Sequence, residues 1–185
     1  MGPMRRWLFP LLCALLAVAI PCRAGERYPV TLLRGLVSLE VPEGLSPLAP
    51  DLRKARFPDL PSDAGEVLAS RDGSATVTAY CPEMPFPDDM TTARPALSLE
   101  LHELYPDALW LRDDLVMVDG RFCARFSFET IAPDGPMRHD MLVSGHDGRM
   151  LVISVSAGGP SRDRWMGQSE EILQSLRIMT AAGTK

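Results

Sequence analysis

The chain has 185 residues, 46% of them hydrophobic, and a formal net charge of −5. That is enough chain for one domain with a real core. The acidic balance excludes a surface that tracks nucleic-acid phosphates and one that docks on anionic lipid, since both need basic surface.

Arg5 and Arg6 precede an apolar run from Leu8 to Ile20, which Pro21 breaks. This is the layout of an export signal, and Cys22-Arg23-Ala24 places cleavage after Ala24. The run is short for a membrane span, and no stop-transfer pattern follows it. Pro21 directly before Cys22 argues against lipid modification there. The expected plan is a signal peptide at 1–24, a single α+β domain at 25–179 and a frayed tail at 180–185. The expected location is periplasmic or secreted, with no stable membrane span after processing.

Tyr28 to Leu33 is a short apolar opening. Leu36 to Val41 alternates and predicts a strand, stopped by Pro42 and Gly44. Five prolines crowd 42–61, which predicts an irregular crossing loop with one helical turn or two at Asp51–Ala55. Leu45, Leu48, Leu52, Phe57 and Leu60 are its apolar anchors. Glu66–Ser70 and Ser74–Tyr80 flank Asp72-Gly73 and predict a hairpin. A second Pro-rich loop covers 82–93. A helix is expected from Ala93 to Tyr105, capped by Thr92, with Pro95 in its first turn and Ala93, Leu97, Leu101 and Leu104 on its inner face.

The centre of the pattern is 107–156. Phe122, Ala124, Phe126 and Phe128 alternate with Arg121, Cys123, Arg125, Ser127 and Glu129. A period of two puts an aromatic row on one face of a sheet and a polar row on the other. Asp119-Gly120, Asp134-Gly135 and Asp147-Gly148 punctuate a meander of Leu109–Val118, Arg121–Ile131, Met137–Gly145 and Arg149–Ser156. Apolar residues of both parities at 114–118 and 149–156 predict cover on both faces. Ala157-Gly158-Gly159-Pro160 reads as a tight reversal. Ser161 then caps a last helix to Leu176, with Trp165, Ser169, Ile172 and Leu176 as its buried stripe, widened by Met166 and Leu173. Strands interrupted by helices, without regular βαβ alternation, make the fold class α+β: an antiparallel meander with helices packed against it.

Chemical signatures are sparse. His102, His139 and His146 each adjoin a carboxylate, but a metal site needs ligands converging on one point. They are expected as exposed polar residues, with no metal and no cofactor. Ser144-Gly145-His146-Asp147 holds triad residue types, but adjacent residues cannot form a triad. Arg112-Asp113-Asp114 and Glu170-Glu171 read as solvated faces. Beyond the leader only Cys81 and Cys123 remain, and an oxidising compartment invites one disulfide between them. Parity alone leaves open whether their strands are neighbours. In the 82–93 loop, Met84, Phe86 and Met90 lie among the carboxylates Glu83, Asp88 and Asp89. These six residues are either cover folded back on the sheet or an exposed partner-binding surface.

The layout as a whole resembles a known family. The export signal, the Val37-Ser38-Leu39-Glu40-Val41-Pro42-Glu43-Gly44 opening, the first hairpin and the helix before a long meander all contribute. So do the Val118-Asp119-Gly120-Arg121 and Asp147-Gly148-Arg149 turns and the closing helix ending near Ser175-Leu176. Together they resemble the DcrB-type envelope proteins and the wider PsbP-like fold. The resemblance implies a central antiparallel sheet flanked by helices and a non-enzymatic accessory, assembly or adaptor role. The expected partner is another envelope or exported protein. An immunity protein or chaperone for a secreted toxin belongs to the same class. An envelope hydrolase using Cys123 or a serine is the alternative of a different class.

Overall fold

The computed structural model describes residues 26–60, 64–133 and 135–179. The expected signal peptide, its cleavage site, Cys22, the tail and Asp134 lie outside these residues.

Among the described residues, ten strands form two sheets. β1 (Arg27–Leu32), β2 (Val37–Pro42) and β10 (Arg177–Ile178) make a small sheet in the order β1-β2-β10. The large sheet contains β3 (Leu45–Pro47), β4 (Gly65–Ser70), β5 (Ala75–Tyr80), β6 (Leu109–Val118), β7 (Arg121–Ala132), β8 (Gly135–His146) and β9 (Arg149–Gly158). Its order is β3-β4-β5-β9-β8-β7-β6, with every pairing antiparallel. The helices are α1 (Pro50–Arg56), α2 (Met90–Leu104) and α3 (Arg162–Gln174).

The turn chemistry explains the meander. Asp119 and Gly120 have φ of 51° and 73°, and Asp147 and Gly148 have 50° and 70°. Two consecutive positive φ values make the two-residue hairpin whose twist matches its strands. Asp72 departs from this, because only Gly73 has positive φ there. Its carboxylate instead accepts from Ser70 Oγ, Ser74 N and Ser74 Oγ, at 2.6, 3.0 and 2.8 Å. Those bonds, the Ser70 hydroxyl first, lower the Asp72 pKa to about 2.

The large sheet is covered on both faces, as the mixed parity of β9 implies. Leu151, Ile153, Val155 and Ala157 face one core, with Val37, Leu39 and Val41 of the small sheet and Trp165, Ile172 and Leu173 of α3. Met150 and Val152 face the other, with Ala124, Phe126 and Val143 of the sheet and Met90 and Ala93 of α2. The stripe expected for α3 is buried in full, from Trp165 at 4% exposure to Ile172 at 0%. Ser161 makes no capping bond, however; its hydroxyl turns to Asp72.

Several expectations are corrected. α2 begins at Met90 rather than Ala93, and Asp89 caps it rather than Thr92, accepting from Thr91 N at 2.9 Å. Pro95 is therefore its sixth residue, past the first turn, where its missing N–H leaves the Thr91 carbonyl without the usual bond. Leu104, the last residue of α2, is 67% exposed rather than buried. Phe122 is likewise exposed, at the open end of the aromatic row. The polar row of β7 does not face water. It lies under α3, where Ser127 is buried and Arg125 clamps Asp114 through two bonds of 2.8 and 2.6 Å and reaches Glu170 at 3.1 Å. Arg112 also pairs with Glu170, and Asp113 with Arg94, so these charges form interlayer networks rather than simply solvated faces. Buried Asp140 is met from α3 by the Ser169 hydroxyl and from β8 by Arg138. Such pairing is what makes buried polar groups tolerable. In the crossing loop, Leu45 is buried, but Leu52 is 56% exposed on the outer side of α1.

Candidate functional site

The 82–93 loop is largely cover. Pro85 bridges Arg149, Phe86 N donates to Gly148 O at 2.7 Å, and Gly148 N donates to the Asp88 carboxylate at 3.2 Å. The loop thus lies against the β8–β9 hairpin. Gly145 permits the approach: a Cβ there would stand 2.3 Å from the Asp88 Cα and 2.5 Å from the Pro87 carbonyl oxygen. Met90 is 1% exposed and Phe86 half-buried, both in the α2-side core. As an exposed partner contact, Met90 is corrected, because helix initiation at Met90 turns its side chain inward. Asp89 is engaged as the helix cap, and its hydrogen bonds to Thr91 and Thr92 lower its pKa. Glu83, Met84 and Asp88 remain on the exposed tip.

The disulfide is excluded by register. Tyr80 pairs with Val152, Val152 with Val143, and Val143 with Ala124. Cys81 and Cys123 are the next residues along, so they share a face and a row but stand three strand spacings apart. That is about 14 Å, twice the reach of a disulfide. Both are free and buried, and burial pushes both thiols up. In protein lacking residues 1–24, both thiols should titrate after unfolding without reductant, and neither should react quickly in the folded state. A thiol-reagent assay checks this, and a total below two would overturn the register.

The histidines are not simply exposed. Trp110, Phe128, His139 and Ser156 form one continuous cross-strand row over β6, β7, β8 and β9. His102 of α2 stacks on Trp110 with ring centroids 3.9 Å apart, and Tyr105 lies 4.9 Å from Phe128. His139 Nδ1 is 2.9 Å from Ser156 Oγ, and its Nε2 is 3.0 Å from Thr130 Oγ1. His146 is 5% exposed, on the opposite face. Only alternation was legible in sequence; the row needs the register of four strands.

Burial lowers the His139 pKa below the ordinary 6.5, against the opposing pull of Asp140. Below that pH the unfolded chain binds a proton that the folded one resists. The stability from a neutral His139 is therefore full above about pH 6.5 and falls as the solution is acidified. Urea midpoints at about pH 7.5 and pH 5.5 should drop more in wild type than in His139→Asn. Equal drops would show that His139 does not titrate differently on folding.

Leu104, Tyr105, Pro106, Asp107, Ala108, Thr130 and Ile131 line a pocket of about 270 Å³ at the end of α2. Thr130 links its wall to His139. Ile131 is 83% exposed and Leu104 67%. Soluble monomers seldom leave large apolar clusters open without a use. Among the described residues there is no group of three ligating side chains that could hold a metal. No helix among them is long and apolar enough to cross a membrane.

A long antiparallel meander, helices on its two faces and a small accessory sheet define the PsbP-like fold, and this chain has it. It is similar to the cyanobacterial PsbP protein CyanoP of Synechocystis, with a TM-score of 0.58 at 10% identity, over 89% of this chain and 99% of that one. It is also similar to PA94 of Pseudomonas aeruginosa, a protein of unknown function, with a TM-score of 0.50 at 11% identity, over 85% and 100% of the two chains. LpqN of Mycobacterium tuberculosis, involved in cell envelope biogenesis, matches with a TM-score of 0.47 at 13% identity, over 84% and 91%. No family model matches the sequence, and no curated protein matches it.

Proposed function

We propose that this is an exported, non-enzymatic accessory protein of the cell envelope that works by binding another protein. The exposed Leu104 and Ile131, which line the α2-end pocket with Tyr105, Pro106, Asp107, Ala108 and Thr130, carry this reading. A partner would insert an apolar side chain there, desolvating leucine and isoleucine that the monomer leaves wet. The amino-terminal pattern of basic residues and an apolar run supports export. A fold of this kind hosts many roles, so the site rather than the fold bears the argument. Of the nucleophiles in the hydrolase alternative, Cys123 or a serine, burial counts against Cys123, which is 0% exposed and whose thiolate it disfavours.

Ile131→Asp tests the reading. A surface change of this kind should move stability by no more than about 0.5 kcal/mol. Crosslinking in cells followed by mass spectrometry should recover a reproducible partner with wild type and lose it with Ile131→Asp. If Met84→Asp alone abolishes the crosslink, the loop tip is the contact surface and this site is wrong. If neither variant changes recovery, binding through these surfaces is refuted.

A further inference from the structure

A second cavity, of about 300 Å³, opens where the β1–β2 connection meets the end of the large sheet. Its wall is the 3-10 turn Leu33–Gly35. Leu33, Arg34 and Gly35 have φ of 55°, 57° and 94°, three left-handed residues in succession, of which only the last is glycine. Side-chain-bearing residues avoid that region unless the surroundings impose it, and such departures gather at functional sites. Glu66 braces the turn, accepting from Leu33 N at 3.0 Å. The turn carries Arg34 to the cavity rim. Opposite it, Arg149 leads β9, and its main chain is bridged to Pro85 of the loop that brings in Glu83.

Arg34, Arg149, Glu66 and Glu83 all line this cavity, and none of them pairs with a charged side chain among the described residues. Arg27, Arg94, Arg125, Arg138 and Arg162, half-buried as Arg149 is, each reach a carboxylate, while Arg121, also half-buried, reaches none among the described residues. Two cations and two anions therefore line one space with no ion pair between them among the described residues. Leu33 and Leu36 add a small apolar wall.

We infer that this cavity binds a compact zwitterion of the α-amino-acid class, its carboxylate toward Arg149 and Arg34 and its ammonium toward Glu83 and Glu66. Arginine grips a carboxylate through two parallel donors, and a carboxylate accepts from an ammonium. A simple anion would meet the glutamates, and a simple cation the arginines; only a dipolar molecule satisfies both. The volume is at the lower end for small-molecule sites and suits a single residue rather than a long peptide.

The twenty L-amino acids, tested singly by calorimetry and thermal shift against protein lacking the leader, decide the matter. At least one should bind with a stoichiometry of one. Arg149→Gln should weaken it by at least about tenfold, the worth of a charge-assisted hydrogen bond. Glu83→Gln, at an exposed position that folding does not depend on, should also weaken it. Acetate and propionate, which lack the ammonium, should not bind comparably. Binding by none of the twenty overturns the inference. So does equal binding of the simple carboxylates, which would make this an anion site, or binding that neither variant weakens.

Discussion

Trp165→Ala should lower the stability by about 3–5 kcal/mol, the usual cost of deleting a large buried aromatic. Trp165 is 4% exposed and lies in the core shared by α3, the small sheet and the large sheet. Its indole edge reaches the β2–β3 turn, where a Cβ on Gly44 would stand 3.7 Å from Cη2. Three elements close around one side chain, so they cannot collapse together into the space it leaves. The exposed stacking of Arg164 on the same ring, at 5.3 Å, adds little beside that. Urea denaturation measures the change. A midpoint within error of wild type would show that α3 is rotated from the phase described here.

Met90→Ala should cost about 2–5 kcal/mol, whereas Met84→Ala should fall within about 0.5 kcal/mol of wild type. The two methionines lie six positions apart in one Pro-rich stretch, yet Met90 is 1% exposed and Met84 47%. Met90 plugs the α2-side core beneath Phe86, against Ala124, Phe126 and Val143. Its loss opens a cavity where the loop joins the helix. Replacing Met84, Phe86 and Met90 together by serine should therefore cost several kcal/mol, by the same cavity reasoning. A triple variant of unchanged stability would mean that the loop is not cover, and would return it to candidacy as the contact surface. Paired denaturation curves of the single variants locate the effect.

The element map follows from local chemistry. Alternation in β7, the Asp-Gly turns at 119–120 and 147–148 and the spacing of Trp165, Ser169 and Ile172 are properties of neighbouring residues. They made the meander, the closing helix and the α+β class legible before any coordinates. Mixed parity in β9 likewise announced two covered faces. These signals are local because a hairpin turn or a helical stripe is specified within a dozen residues.

What joins distant segments was not legible. Whether Cys81 and Cys123 could bond depended on β8 and β9 lying between their strands, which no periodicity encodes. The burial of Met90 depended on Asp89 rather than Thr92 taking the cap, a choice made by the docking of the loop on the β8–β9 hairpin. The polar row of β7 reads as a wet face, yet α3 covers it, because Asp114 and Glu170 arrive to pair Arg125. The apolar end at Leu104 and Ile131 joins α2 to β7 across an interval of sequence. The four charges that line the Arg149 cavity, unpaired among the described residues, come from four separate segments. Alternation and turn residues specify which face a side chain takes along its own strand. Only the order and register of the assembled sheets decide what stands opposite it.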